Sequence, residues 1–140
     1  ANGYITYNPH AYINPQEIEA LEFLKYKPGG IVLTYPYDPK LKEKIAEPWP
    51  INIYDSTSYV SATSRMITYV SDEGQNQILL TDFKRRIILS KDFFLSGNIN
   101  FLKENEIKYI YLPKIHNVSL EEKGISKIFE NNAVLIYEVN

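Results

Sequence analysis

Apolar residues in this chain alternate between helical and strand-like spacing, with Pro, Gly and Asn between the runs. Ile18, Leu21 and Leu24 follow Asn14-Pro15-Gln16-Glu17, where Asn caps free amides, Pro suits the first helical position and an early acid suits the helix dipole. That helix should end before Pro28-Gly29-Gly30, because a residue preceding proline leaves the helical region. Ile31 to Tyr35 then reads as a short buried strand stopped by Pro36. A turn or short helix is expected at Tyr59 to Ala62 and a second strand at Arg65 to Val70. Ser71-Asp72-Glu73 offers capping oxygens for a helix from about Gln75 to Phe94, with Leu79, Phe83 and Ile87 four residues apart. The β-branched pair Ile87-Ile88 is a point where that helix can end early.

Pro36, Pro39, Pro48 and Pro50 make Tyr35 to Asp55 a long loop, with at most one helical turn near Leu41 to Ile45 and Trp49 as its anchor on the core before it reads as a binding-loop aromatic. After Gly97, Asn98 can cap a short helix through Phe101 and Leu102 to Asn105. Ile107 to Leu112 is apolar on both faces apart from Lys108, the pattern of an interior strand. Ser126 to Phe129 and Ala133 to Val139 flank Asn131-Asn132, whose tolerance of left-handed angles suits a tight hairpin. The fold class expected is α/β, one domain over residues 1–140. Its sheet is mixed but mainly parallel, with helices on both faces and a C-terminal antiparallel hairpin, a Rossmann-like three-layer sandwich.

Composition narrows the function classes. A formal net charge of −2 over 140 residues leaves no cationic surplus for a phosphate backbone, so nucleic acid is not an expected partner. Cysteine is absent, which removes disulfides, thiol nucleophiles and thiolate metal sites. Gly29-Gly30 has no Lys-Ser/Thr pair after it and no G-x-G-x-x-G or G-x-S-x-G occurs, so phosphate-loop, dinucleotide and hydrolase-elbow motifs are missing. His10 and His116 lack companions at metal-ligand spacing. No cofactor and no metal are expected.

Asp72 and Glu73 read as capping acids before they read as a cation site. Arg85 and Arg86 suit a phosphate, carboxylate or glycan, or else form a solvated helix face or pair with Asp72 or Glu73. Of twelve Tyr, Tyr109, Tyr111 and Tyr137 fall in expected strands and read as core, whereas Tyr35, Tyr37, Tyr54 and Tyr59 lie at strand ends and loops, where aromatic surfaces meet sugars or proteins.

Several segments together carry a resemblance over nearly the whole chain: Glu19-Ala20-Leu21-Glu22-Phe23-Leu24, Gly30-Ile31-Val32-Leu33, Tyr59-Val60-Ser61-Ala62-Thr63-Ser64-Arg65, Asp72-Glu73, Arg85-Arg86, Phe93-Phe94, Phe101 to Tyr111, and Ile128-Phe129-Glu130-Asn131 with Ile136-Tyr137-Glu138-Val139. In this order they resemble the C-terminal extracytoplasmic domain of bacterial polytopic membrane proteins similar to GT-C-type glycosyltransferases, which use lipid-phosphate-linked sugars. In that family Gly often precedes the Arg where this chain has Ser64-Arg65. The family's catalytic acids lie in loops of the membrane domain, so none carries over. The resemblance implies a non-catalytic domain cut from a longer chain near Ala1, on the extracytoplasmic side of the cell membrane. Its partner would be its parent's membrane domain, and its role assembly or acceptor binding. On this reading Tyr59, Ser61, Thr63, Arg65, Asp72, Glu73, Arg85 and Arg86 form a polar cluster near the sheet edge, for ligand or structure. A glycan- or phosphosugar-binding module is the alternative, and an independent small enzyme the third reading.

Overall fold

The computed structural model describes residues 11, 12, 14–36, 49, 50, 58–70 and 77–140. In chain order these form β1 (Ala11–Tyr12), α1 (Pro15–Lys25), β2 (Ile31–Thr34), β3 (Trp49–Pro50), α2 (Ser58–Ser64), β4 (Ile67–Thr68), α3 (Gln77–Ser96) and α4 (Ile99–Glu104). Then come β5 (Ile107–Pro113), a 3₁₀ turn at Lys114–His116, β6 (Ile125–Glu130) and β7 (Val134–Val139). β1 and β3 make a small parallel pair, and the other five strands form one sheet in the order β4-β2-β5-β7-β6.

This is a mixed α/β fold, but the mainly parallel, Rossmann-like sheet expected from the sequence is not what forms. β2 runs parallel to β4 and β5, while β7 is antiparallel to both β5 and β6 along longer ladders. The cause is the tight turn between β6 and β7: strands joined so closely can only pair antiparallel. Because β7 then inserts beside β5, a second antiparallel ladder follows.

Alternation along the strands divides the core in two. Val32, Tyr109, Tyr111, Val134 and Ile136 face one layer with Ala20, Leu21 and Leu24 of α1 and Tyr59 and Val60 of α2. Leu33, Ile110, Leu112 and Tyr137 face the other with Phe93 and Phe94 of α3 and Phe101 and Leu102 of α4. Helices therefore cover both faces. Each large apolar side chain taken fully out of water contributes roughly 1.5–3 kcal/mol, so these two layers hold the fold.

Asn14 caps α1 as expected, its Oδ1 accepting from Gln16 N at 2.8 Å. The buried stripe differs from the expectation. It runs Glu17, Ala20, Leu21, Leu24, while Ile18 is 43% exposed. One residue is a rotation of about 100° on a helix, so choosing the stripe through Glu17 turns Ile18 outward. The chain reaches β2 through Gly30, where a Cβ would stand 2.7 Å from Lys108 Cβ, and Tyr109 Oη donates to the Pro28 carbonyl at 2.7 Å.

The strand expected over Arg65 to Val70 shrinks to Ile67–Thr68, because Arg65 takes a left-handed φ of 63° and Tyr69 and Val70 bend away. Helix α3 runs through Ile87-Ile88 without a break and stops at Gly97, whose φ is +69°. Asn98 then caps α4, its Oδ1 accepting from Asn100 N at 3.1 Å.

The β6–β7 hairpin forms, but by a different device from the one expected. Neither Asn131 nor Asn132 has a positive φ; instead Asn131 Oδ1 accepts from Ala133 N and Val134 N, both at 2.9 Å. The same side chain's Nδ2 donates to the Gln16 carbonyl and to Glu19 Oε1, both at 2.8 Å. One asparagine shapes the turn and moors it to α1.

Candidate functional site

Two polar assemblies lie on opposite sides of the sheet. On the α1–α2 side Glu17, 1% exposed, is reached by two phenols: Tyr111 Oη donates to Oε1 at 2.8 Å and Tyr59 Oη at 3.1 Å. A buried polar group is costly unless hydrogen-bonded, and here one oxygen draws donors from α2 and β5. Burial first, then the neighbouring Tyr111 and Glu17, holds the Tyr59 phenol well above its ordinary value. Burial and Glu17 do the same for Tyr111. Both phenols therefore stay protonated at ordinary pH, as donors, and the assembly ties α1, α2 and β5 together. Thr34, the register partner of Tyr111 on β2, has a buried hydroxyl without a hydrogen-bond partner among the described residues.

On the α3–α4 side the polar groups are half exposed. Arg85 Nη2 donates to Asp82 Oδ1 at 2.7 Å, and Arg86 Nε stands 2.9 Å from Asp82 Oδ2. That second contact is an ion pair in which the N–H closes no hydrogen bond. Arg86 Nη1 donates to the Tyr69 carbonyl at 2.8 Å, and its guanidinium carbon lies 4.8 Å from the centre of the Tyr69 ring. Tyr69 meets Phe101 edge-on at 5.4 Å, and its hydroxyl is buried without a hydrogen-bond partner among the described residues. The hydrogen bond from Arg85, more than any other contact, holds the Asp82 carboxyl below the usual carboxylate range.

A third feature joins the ends of β2 and β5. Tyr35 stacks on His116 with ring centres 4.0 Å apart and planes at 16°, and tilts against Phe94 at 4.9 Å.

The residues expected to form one polar cluster separate. Tyr59 is buried against Glu17. Ser61 and Thr63 are half-buried in α2, and the Ser61 carbonyl accepts from Arg65 N at 2.9 Å. Arg65 is exposed just beyond that helix, and the left-handed backbone falls on it rather than on Ser64, whose hydroxyl donates to the Val60 carbonyl at 2.6 Å. Arg85 and Arg86 sit on α3, beyond the sheet from Tyr59, and their acid is Asp82 of the same helix. Asp72 and Glu73 lie outside the described residues, as do Tyr37, Tyr54, His10 and the expected helical turn at 41–45.

The sequence assigns Glu17 only to the helix dipole and does not single out Asp82. Each had a signal: Glu17 shares the three-and-four spacing of Ala20, Leu21 and Leu24, and Asp82 stands three and four residues before the arginines. Among the described residues no group of three or more His, Cys, Asp or Glu converges on a metal position, and no helix is long and apolar enough to cross a membrane. Comparison of the chain with protein families, with curated proteins and with solved structures finds no match.

Proposed function

We propose that this chain is a non-catalytic accessory domain of a bacterial membrane protein resembling the GT-C-type glycosyltransferases. It sits outside the cytoplasmic membrane beside the membrane domain of its parent chain, and it supports assembly or acceptor binding. The observation that carries this reading is where the polar side chains go. The Tyr59 hydroxyl reaches Glu17 and the Arg86 guanidinium reaches the Tyr69 carbonyl and Asp82, so these groups fasten helices to strands. A body built this way offers a firm surface and leaves bond-making to its parent. With a net charge of −2, nucleic acid is not among its partners.

The gene tests the proposal. Upstream of the codon for Ala1, in the same reading frame, several segments of about 18–20 apolar residues are expected. A start codon directly before Ala1 overturns it.

A further inference from the structure

Helices α1 and α3 cover opposite faces of the sheet and carry opposite charge. α1 sets Glu17, Glu19 and Glu22 against Lys25, a net −2, while α3 sets Lys84, Arg85, Arg86 and Lys91 against Asp82 and Asp92, a net +2. The −2 of the whole chain thus hides a polarity across the sheet. α3 also turns two large aliphatic side chains away from the core: Ile88 is 66% exposed and Leu95 88%. Seven residues are nearly two helical turns, so these two lie about 20° apart around the axis and about 10 Å apart along it. Lys84 and Lys91, both exposed, stand about 40° and 60° round from Ile88 on the Leu95 side.

We infer that this outward face of α3 rests on an anionic lipid bilayer, with Ile88 and Leu95 entering the headgroup layer and Lys84 and Lys91 reaching its phosphates.

Charge and spacing select the occupant. Among the described residues neither lysine has an ion-pair partner, whereas Arg85 is held by Asp82. Asp92, exposed on the same face, offsets only one of the two. A protein partner is anchored by aromatic or Arg side chains clustered in one desolvated spot. Here the aromatics of the helix, Phe83, Phe93 and Phe94, pack inward, and the two aliphatics stand apart with a lysine between them in the sequence. A headgroup layer accepts scattered aliphatics one at a time, and lysine stems lie along it while their ammonium groups reach phosphate. The acidic α1 points the other way, so an anionic surface attracts one side of the sheet and repels the other. The negative charge of the chain as a whole does not prevent this, because charges more than about 8 Å away are screened at physiological salt.

This lipid contact rests on the proposed membrane-borne parent, which supplies a tether: weak adsorption becomes a fixed orientation once the chain is held near the surface. The face itself is tested on the chain alone, by co-sedimentation with phosphatidylcholine vesicles, with and without about one third phosphatidylglycerol, at up to about 10 mM lipid and about 20 mM salt. Binding is expected only with phosphatidylglycerol, and raising the salt to about 0.5 M should weaken it severalfold. Ile88→Ser combined with Leu95→Ser should weaken it about tenfold, and Lys84→Gln and Lys91→Gln about fivefold each. On α1, Ile18 is 43% and Tyr26 78% exposed, and replacing both with Ser should leave binding within about twofold.

A second readout does not depend on how the variants fold. The native chain has no cysteine, so a polarity-sensitive dye can be attached at Leu95→Cys or at Tyr26→Cys. Its emission should shift to the blue on anionic vesicles at the first position and stay unchanged at the second. No binding at about 10 mM anionic lipid, equal binding to pure phosphatidylcholine, or equal losses in the α1 and α3 variants overturns the lipid-facing role. So does a dimer in solution that Ile88→Ser with Leu95→Ser abolishes, since the face would then belong to a second copy. Apolar segments upstream of Ala1 without vesicle binding remove this face and leave the parent. Vesicle binding without such segments keeps the face and removes the parent.

Discussion

Among the described residues, Glu17 and Asp82 are both helix acids that engage two side chains each, one on either side of the same sheet. Glu17 is 1% exposed and its donors are phenols from α2 and β5, whereas the Asp82 side chain is 41% exposed and its partners are arginines of its own helix. The contrast separates two uses of one chemical group. In the interior, water cannot replace a lost partner, so the bonds fix how three elements pack. At the surface, water and salt compete for every contact, so the ion pairs set local charge and contribute little to folding.

The largest test of this contrast removes the interior acid. Glu17→Ala leaves the Tyr59 and Tyr111 hydroxyls buried without this acceptor, at about 1–3 kcal/mol each, so urea unfolding should show a loss of about 2–6 kcal/mol. Glu17→Gln keeps an oxygen in place and should recover at least about half of that. A loss below about 1 kcal/mol in Glu17→Ala would erase the distinction between the two acids.

A smaller effect comes from the donors. Tyr111→Phe removes the 2.8 Å bond and Tyr59→Phe the 3.1 Å one. Each should lower stability by about 0.5–1.5 kcal/mol, the first more than the second, as the shorter bond is the stronger. Combining both should cost less than the sum, since the two phenols share one oxygen. Strict additivity would mean that they do not act as a unit.

The parts of this molecule legible in its sequence are those specified by neighbouring residues. Asn14 and Asn98 announce α1 and α4 through their capping oxygens, and Ile107 to Pro113 forms the interior strand its apolar run implies. Sheet direction is a different matter. It depends on β7 entering between β5 and β6, a choice among partners far apart in the chain, which no local pattern encodes. The site divides in the same way. Asp82 is recoverable from helical spacing to Arg85 and Arg86, but the closer-seeming Asp72-Glu73 pair draws attention from it. Glu17 is harder to see, because an acid in a first turn already has a reason to be there and acids are seldom fully buried. The donors Tyr59 and Tyr111 lie 42 and 94 residues away, so only the folded chain reveals them.

The surface acid supplies the smallest and most condition-dependent test. The Asp82 carboxyl is held below its usual range chiefly by the hydrogen bond from Arg85, with the charge of Arg86 adding to it. A depressed value in the folded state means that the unfolded chain takes up its proton first as the pH falls. The contribution of Asp82 is therefore complete above the ordinary aspartate value, near ~3.9, and is lost as the pH drops through the depressed one. Glu130 acts in the same window, since hydrogen bonds from Lys114 and Lys127 hold its carboxyl down to about 2. Urea midpoints followed from pH 5 to pH 2 should consequently decline in the native chain and slightly less steeply in Asp82→Asn, because Glu130 still titrates. The difference between the two slopes should shrink at about 1 M salt, where the screening length falls to about 3 Å. If it is undiminished at that salt concentration, Asp82 is shielded from solvent as Glu17 is, and the division between an interior acid that packs and a surface acid that only sets charge fails.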